Sequence, residues 1–283
     1  MKNTILTFCL LVVCMLCAAQ TKTYQSWNKV ASQRAGVLNI NYFENFPYAF
    51  ADPNGNHMGI EIDIIKEFQH WLATYKGVEI TLNYQKYDNF NTFYTGIKDG
   101  GNGQIGLGSV TIHEEREKWA KFSEPYLKNV AVLVSALEVN NLRSMSEFAE
   151  VFQDRVALVV KGSSHEEQLL DIKKKYFPEM TVSYAENPKE MLMRMKEDPH
   201  YFGYVDIITY MAFTEEQGGL LRVHRTADID GERFGFVFPP NSDWNTIFNE
   251  FMVGGFGFSA TAEYHAILDK YLELNVIQEV QMQ

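Results

Sequence analysis

Two stretches of the chain place hydrogen-bond donors and positive charge where an anion could be held. The first is Gly108 to Tyr126, GSVTIHEEREKWAKFSEPY. Thr111 and Glu114 stand at capping-box spacing, so a helix is predicted to begin there with Thr111 as its cap. Two readings fit Arg116 on that spacing. It pairs with a neighbouring glutamate in a solvated charge run, or Thr111 offers its hydroxyl and amide at a helix start while Arg116 turns back to grip a carboxylate bidentately. The second stretch is VVKGSSHEEQ, where Ser163…Glu166 and Ser164…Glu167 both fit a capping box.

Other chemistries lack their local signatures. Residues 101–106 read G-N-G-Q-I-G, but a helix precedes the glycines and a strand follows, the reverse of what a pyrophosphate site needs. The seven histidines are scattered with no H-E-x-x-H pair, so no metal site is expected. Neither a G-x-S-x-G elbow nor a G-K-S/T phosphate loop occurs. Cys9, Cys14 and Cys17 all precede Ala18, which removes disulfides, thiolate metal sites and cysteine nucleophiles from the remainder.

The elements that must position these residues alternate along the chain, which argues for α/β layers with largely parallel pairing. Strands are predicted at 37–42, 78–84, 130–137, 155–160, 181–184, 202–205 and 234–238. Helices are predicted at 91–98, 146–152, 163–175, 189–196, 207–214, 245–252 and 262–274. GIEID after the turn D-P-N-G-N reads as a further strand, with a helix opening at Asp63. The short polar turn 227–232 (ADIDGE) is the best crossing point between lobes.

The chain has 283 residues, enough for two domains or one large one. With 46% hydrophobic and 22% charged residues it can fill a core and is not a disordered chain. Its net charge of −11 excludes a general nucleic-acid binder. Lys2, the apolar run from Ile5 to Leu16 and the small residues Cys17-Ala18-Ala19 read as a signal peptide over 1–19. Anchoring through Cys17 is the lesser reading, because Leu16 is a poor lipidation context. Val130 to Leu137, the longest later apolar run, falls short of the roughly 20 residues of a membrane helix.

Four motifs in order resemble the amino-acid-type periplasmic solute-binding proteins, extracellular solute-binding family 3: NFPYAFADPNGNHMGIEIDI, SVTIHEEREKWAKFSEPY, VVKGSSHEEQ and GYVDIITY. The resemblance implies an α/β clamshell of the type II periplasmic-binding-protein fold with two crossing hinge strands. Lobe 1 would be residues 37–128 and 234–283, and lobe 2 residues 129–233. It further implies that Arg116 grips a ligand α-carboxylate, aided by Thr111 and Ser109. Ser163 and Ser164 would reach that carboxylate from the other lobe, Asp206 would hold the α-ammonium, and Tyr48 and Phe46 would wall the side chain. The function implied is capture of a polar amino acid or related small molecule, without cofactor, by an exported monomer that serves a membrane transporter or sensor. The same fold carries enzymes of the cyclohexadienyl dehydratase type, in which Glu44 or Asp206 would act as a general acid. It is also fused to cell-wall lyases, a reading disfavoured because the chain stops at Gln283.

Overall fold

A computed structural model describes residues 24–219 and 221–272; the predicted signal peptide lies outside them. Helix α1 (Trp27–Gln33) leads into β1 (Ala35–Phe43), and a small hairpin, β2 (Phe50–Ala51) and β3 (His57–Met58), precedes α2 (Ile60–Trp71). Then come β4 (Glu79–Tyr87), α3 (Phe90–Lys98), β5 (Gln104–Leu107), the short α4 (Glu114–Glu117) and β6 (Lys121–Phe122).

The chain now enters a second sheet. It contains β7 (Leu127–Ser135), α5 (Phe148–Phe152), β8 (Val156–Val160), α6 (Ser164–Lys175), β9 (Thr181–Ala185) and α7 (Pro188–Glu197). β10 (Tyr201–Asp206), α8 (Ile207–Gln217), β11 (Arg222–Val223) and β12 (Ile229–Phe234) complete it. The chain returns through β13 (Val237–Phe238) and ends in α9 (Trp244–Val253) and α10 (Ala262–Tyr271).

The first sheet has the order β4-β1-β5-β13-β6 and the second β11-β7-β10-β8-β9, with β12 paired to β7. β1 runs parallel to β4 and β5, and β8 runs parallel to β9 and β10. This is a two-lobed α/β clamshell. Its two connections are themselves paired: Phe234 faces Leu127, Arg233 faces Lys128 and Glu232 faces Asn129, with a register shift between Ile229 and Glu232. Bending these two strands moves one sheet against the other.

The segment GIEID departs from its predicted strand. It is the first turn of α2, which starts at Ile60 rather than Asp63. The alternation misleads because this helix is buried on most sides, at Ile60, Glu61, Ile62, Ile64, Ile65 and Phe68. No side chain caps it; the Ile60 and Glu61 amides instead donate to the Pro47 and Tyr48 carbonyls at 3.0 and 2.9 Å. Asp63 in the same turn is held by Lys66, Lys270 and the Tyr271 hydroxyl.

Gly59 makes that start possible. Its φ of 119° is one that side chains resist, and a Cβ there would lie 2.2 Å from the Tyr48 carbonyl oxygen. Gly59→Ala is expected to destabilise the protein by about 1–3 kcal/mol, read as a lowered urea midpoint. An unchanged midpoint would show that the Tyr48 backbone yields freely.

Candidate functional site

Several chain segments converge between the sheets. From the first, β5 runs into Gly108 and then Ser109, which is held in the left-handed region at φ 47°. Thr111 follows and bridges to Phe234 at the lobe crossing. From the second sheet, β8 turns through Gly162 (φ 81°) into α6. There Ser163 Oγ accepts the Glu166 amide at 3.3 Å, and Glu166 returns a carboxylate oxygen to the Gly162 amide at 2.6 Å. Next to it β10 ends at Asp206, where α8 begins with no side-chain cap.

Arg116 joins the lobes although only 3% exposed. Nη1 donates to the Thr111 carbonyl at 3.2 Å and Nη2 crosses to the Gly162 carbonyl at 3.3 Å. Its guanidinium lies over the rings of Tyr94 and Phe90, at 5.1 and 5.6 Å. Among the described residues no carboxylate stands within ion-pair distance of it. Burial accordingly pulls its pKa below the ordinary arginine value. A second interlobe link runs between the hydroxyls of Thr111 and Ser164, 3.2 Å apart.

The opposite sign gathers a few ångströms away. The Asn129 amide donates at 2.7 Å both to Asp206 Oδ1 and to Glu232 Oε2. Gln168 donates to the other Glu232 oxygen at 2.8 Å, and His165 Nε2 stands 3.4 Å from Asp206 Oδ1. Burial pushes Glu232 up. Burial alone would lower His165, but the neighbouring Asp206 carboxylate and the charge of Glu232 outweigh it, so its pKa is raised. Among the described residues these three form the group compact enough for a metal, with donor atoms within 4.8 Å of one another. Asn129 presents an N–H to both carboxylates, which suits an ammonium beside them better than a close-packed metal shell.

The fold has counterparts among known proteins. The family model of bacterial extracellular solute-binding proteins, family 3, matches residues 40–273. The chain belongs to that family. A membrane-bound lytic murein transglycosylase F of Pseudomonas fluorescens is 26% identical over 141 residues, 50% of this chain and 27% of the relative. The chain thus spans about a quarter of that relative's length. Among solved structures, a mutant of ArgBP from T. maritima superposes with a TM-score of 0.67 at 18% identity, covering 86% of this chain and 97% of that one. An ancestral amino acid-binding protein, a precursor of cyclohexadienyl dehydratase, gives 0.62 at 17% identity, covering 87% and 99%.

Within this solute-binding fold, Arg116, Thr111, Ser109, Ser163, Ser164 and Asp206 line one inner cavity of about 40 Å³. Thr111 does not cap α4, as its spacing suggested; His113 holds that position, and the Thr111 hydroxyl is turned toward Ser164. Phe46 is elsewhere, on an outer cavity of about 760 Å³ between the lobes, which shares only Asn45 with the inner one. Tyr48 walls neither cavity: it is 0% exposed and packs edge-on against Phe234. Glu44 lies on the outer cavity, paired with Lys86.

The inner wall also contains Phe43, Asn45, Phe90 and His165, which motif reading passed over. His165 follows the two serines directly, so it was within reach of that motif. Phe90 and Asn45 carried no signal, because an aromatic at a helix start and an asparagine in a loop each have many ordinary uses.

Asn129→Asp would place a third carboxylate between two buried ones. The variant is expected to lose about 2 kcal/mol or more at pH 8 and much less near pH 4.5, where carboxyls protonate. Denaturant melts at the two pH values read this; equal losses would show that Asn129 matters for packing alone.

Proposed function

We propose that the protein captures an amino acid or a close relative in the interlobe cleft, and that it works outside the cytoplasm for a membrane transporter or sensor. The observation that carries this reading is Arg116: a buried guanidinium with no carboxylate partner, whose two arms reach one carbonyl in each lobe. An arriving carboxylate would supply the missing anion in bidentate form. The Ser163–Ser164 helix start adds donors from lobe 2. Asp206, with Glu232 behind it, would take the α-ammonium. Arg116 on one side and the Asp206–Glu232 pair on the other offer opposite signs to the two ends of a zwitterion.

Closure follows from the same contacts. A ligand that touches both lobes stabilises the state in which they are near, through its differential affinity for that state. The inner cavity has room for only a few waters, so the zwitterionic head would displace the direct Thr111–Ser164 contact. Its side chain or substituent would leave past Asn45 into the outer cavity, walled by Phe46, Phe50, Leu192 and Phe213. The family's extracellular character and the N-terminal segment 1–19 support export, with lobe 1 as 37–128 and 234–283 and lobe 2 as 129–233. The acidic surface and monomeric state proposed here leave one ligand per chain.

The alternative is a dehydratase-like enzyme with Asp206 or Glu44 as general acid, favoured by the resemblance to the dehydratase precursor. Binding is preferred because Asp206 Oδ1 already accepts from Asn129 and faces His165, and Glu44 is ion-paired. A binder returns its ligand unchanged; turnover would decide for the enzyme.

Arg116→Ala is expected to weaken binding by about 2–5 kcal/mol with the fold intact, and Arg116→Lys to fail similarly. Calorimetry showing less than about a threefold loss would remove Arg116 from the site. A thermal-shift screen of amino acids, their amides, keto acids and small sugars is expected to favour molecules with both a free carboxylate and a free ammonium. Asp206→Asn should then weaken the amino acid far more than its keto acid. Hits confined to sugars would overturn the reading of the site.

A further inference from the structure

Asp206 opens α8, and Thr209, Phe213 and Glu216 follow it at spacings of three, four and three residues, so the four form one stripe of that helix. Asp206 lines the inner cavity; the other three line the outer one. At about 1.5 Å per residue, Thr209 stands roughly 5 Å along the axis from Asp206, Phe213 roughly 10 Å and Glu216 roughly 15 Å. The stripe thus measures distance outward from the seat of the ammonium.

The walls change along that path. The inner cavity, about 40 Å³, has no room for a side chain beside a head group, and Asn45 alone of the described residues lines both cavities. Past Asn45 the walls are apolar. Phe213, 3% exposed, and Leu192 come from lobe 2, while Phe46 and Phe50 come from lobe 1, half-buried and edge-on to each other at 5.0 Å. At about 760 Å³ the outer cavity is of the size that holds a drug-sized molecule rather than one short side chain. Its rim is acidic: Glu44, Asp52 and Glu216 stand against Lys189. Lys189 is held by Glu216 at 2.7 Å, Glu44 pairs with Lys86, and Asp52 accepts the Asn54 and Asn56 amides at 2.8 Å. A distal anion would meet no free cation among the described residues that line this cavity.

We propose that the ligand is an α-amino acid whose side chain extends to a bulky apolar or aromatic group without negative charge, seated between Phe213 and the Phe46–Phe50 pair about 10 Å from the ammonium. The proposal rests on the reading of Arg116 and Asp206 as the seat of the head group. A glutamine side chain reaches only roughly 5 Å from its α-carbon, level with Thr209, and would leave the aromatic walls to water. A group that reaches Phe213 touches both lobes. It adds apolar burial to the charge contacts of the head, and that gain exists only when the lobes are near. Phe46 and Phe213 are then the residues that set specificity, while the head contacts are common to all amino acids.

Calorimetry with four probes tests this: L-glutamine, L-lysine, Nε-benzoyl-L-lysine and Nε-succinyl-L-lysine. The benzoyl ring lies about 10 Å from the α-carbon of an extended chain, and its compound is expected to bind at least about tenfold tighter than L-lysine or L-glutamine. The succinyl compound, equally long but anionic at its end, should bind at least about tenfold weaker than the benzoyl one. Phe46→Ala and Phe213→Ala should each cut the preference for benzoyl-lysine over L-lysine by at least about fivefold. Phe46 is half-buried on a loop, so its variant keeps the test open where Phe213→Ala fails to fold. L-lysine or L-glutamine binding as tightly as the benzoyl compound, a succinyl compound that matches it, or a preference that survives in Phe46→Ala overturns the proposal and leaves the head-group reading standing. If none of the four binds, the head-group reading itself fails and the proposal falls with it.

Discussion

A guanidinium taken out of water without a carboxylate to meet it is the constraint around which this molecule is arranged. The Arg116 contacts are two carbonyl oxygens and two aromatic faces. Carbonyl dipoles and ring quadrupoles ease the desolvation of a cation but do not neutralise it. Because one carbonyl belongs to Thr111 and the other to Gly162, the charge is shared between lobes. On the proposed reading, opening the cleft would remove the Gly162 contact and let water in, and closing it on an anion would make the most of the field in a dry cavity.

The negative half of the site is built into the hinge. Asn129 lies on β7 and Glu232 opposite it on β12, the paired strands that connect the lobes. One amide group joins Glu232 to Asp206. A change of charge at Asp206 therefore acts on the backbone segment that must bend. On the proposed reading such a link would couple binding at Asp206 to the paired strands between the lobes.

Much of this plan was legible in the residues. The alternation of strands and helices predicted the layering, and most elements fall within a few residues of their expected bounds because each carries a clear apolar period. Arg116 and Thr111 drew notice by their spacing, which left a solvated charge run and an anion grip both open, and the two serines by their capping-box spacing; their binding roles came from the family resemblance. The failures have a shared cause. A residue buried by two elements at once breaks the rule that one face is apolar and the other polar. GIEID seemed a strand because α2 is enclosed on most sides, at Glu61 as well as at its apolar residues. Tyr48 was placed on the cleft wall by the resemblance, yet it packs edge-on against Phe234 and its carbonyl accepts from the first turn of α2. Glu232 drew no attention within a polar turn, since only the pairing of β12 with β7 brings it to Asn129.

The two cavities differ in what they can specify. The inner one is small and joins a few charged and hydroxyl groups to apolar walls from Phe43, Phe90, Val160 and Val205, so its geometry follows from the elements that carry them. The outer one is large and lined by residues of the segment 44–53 and of α7 and α8, whose side chains can change without disturbing either sheet. The proposed function thus assigns recognition of a charged head and selection among ligands to separate parts of the cleft. A residue in the outer wall can alter which ligand is preferred while Arg116 and Asp206 keep their partners. A change at Arg116 or Ser163 acts more widely, because Arg116 also holds the Thr111 and Gly162 carbonyls and Ser163 also caps α6.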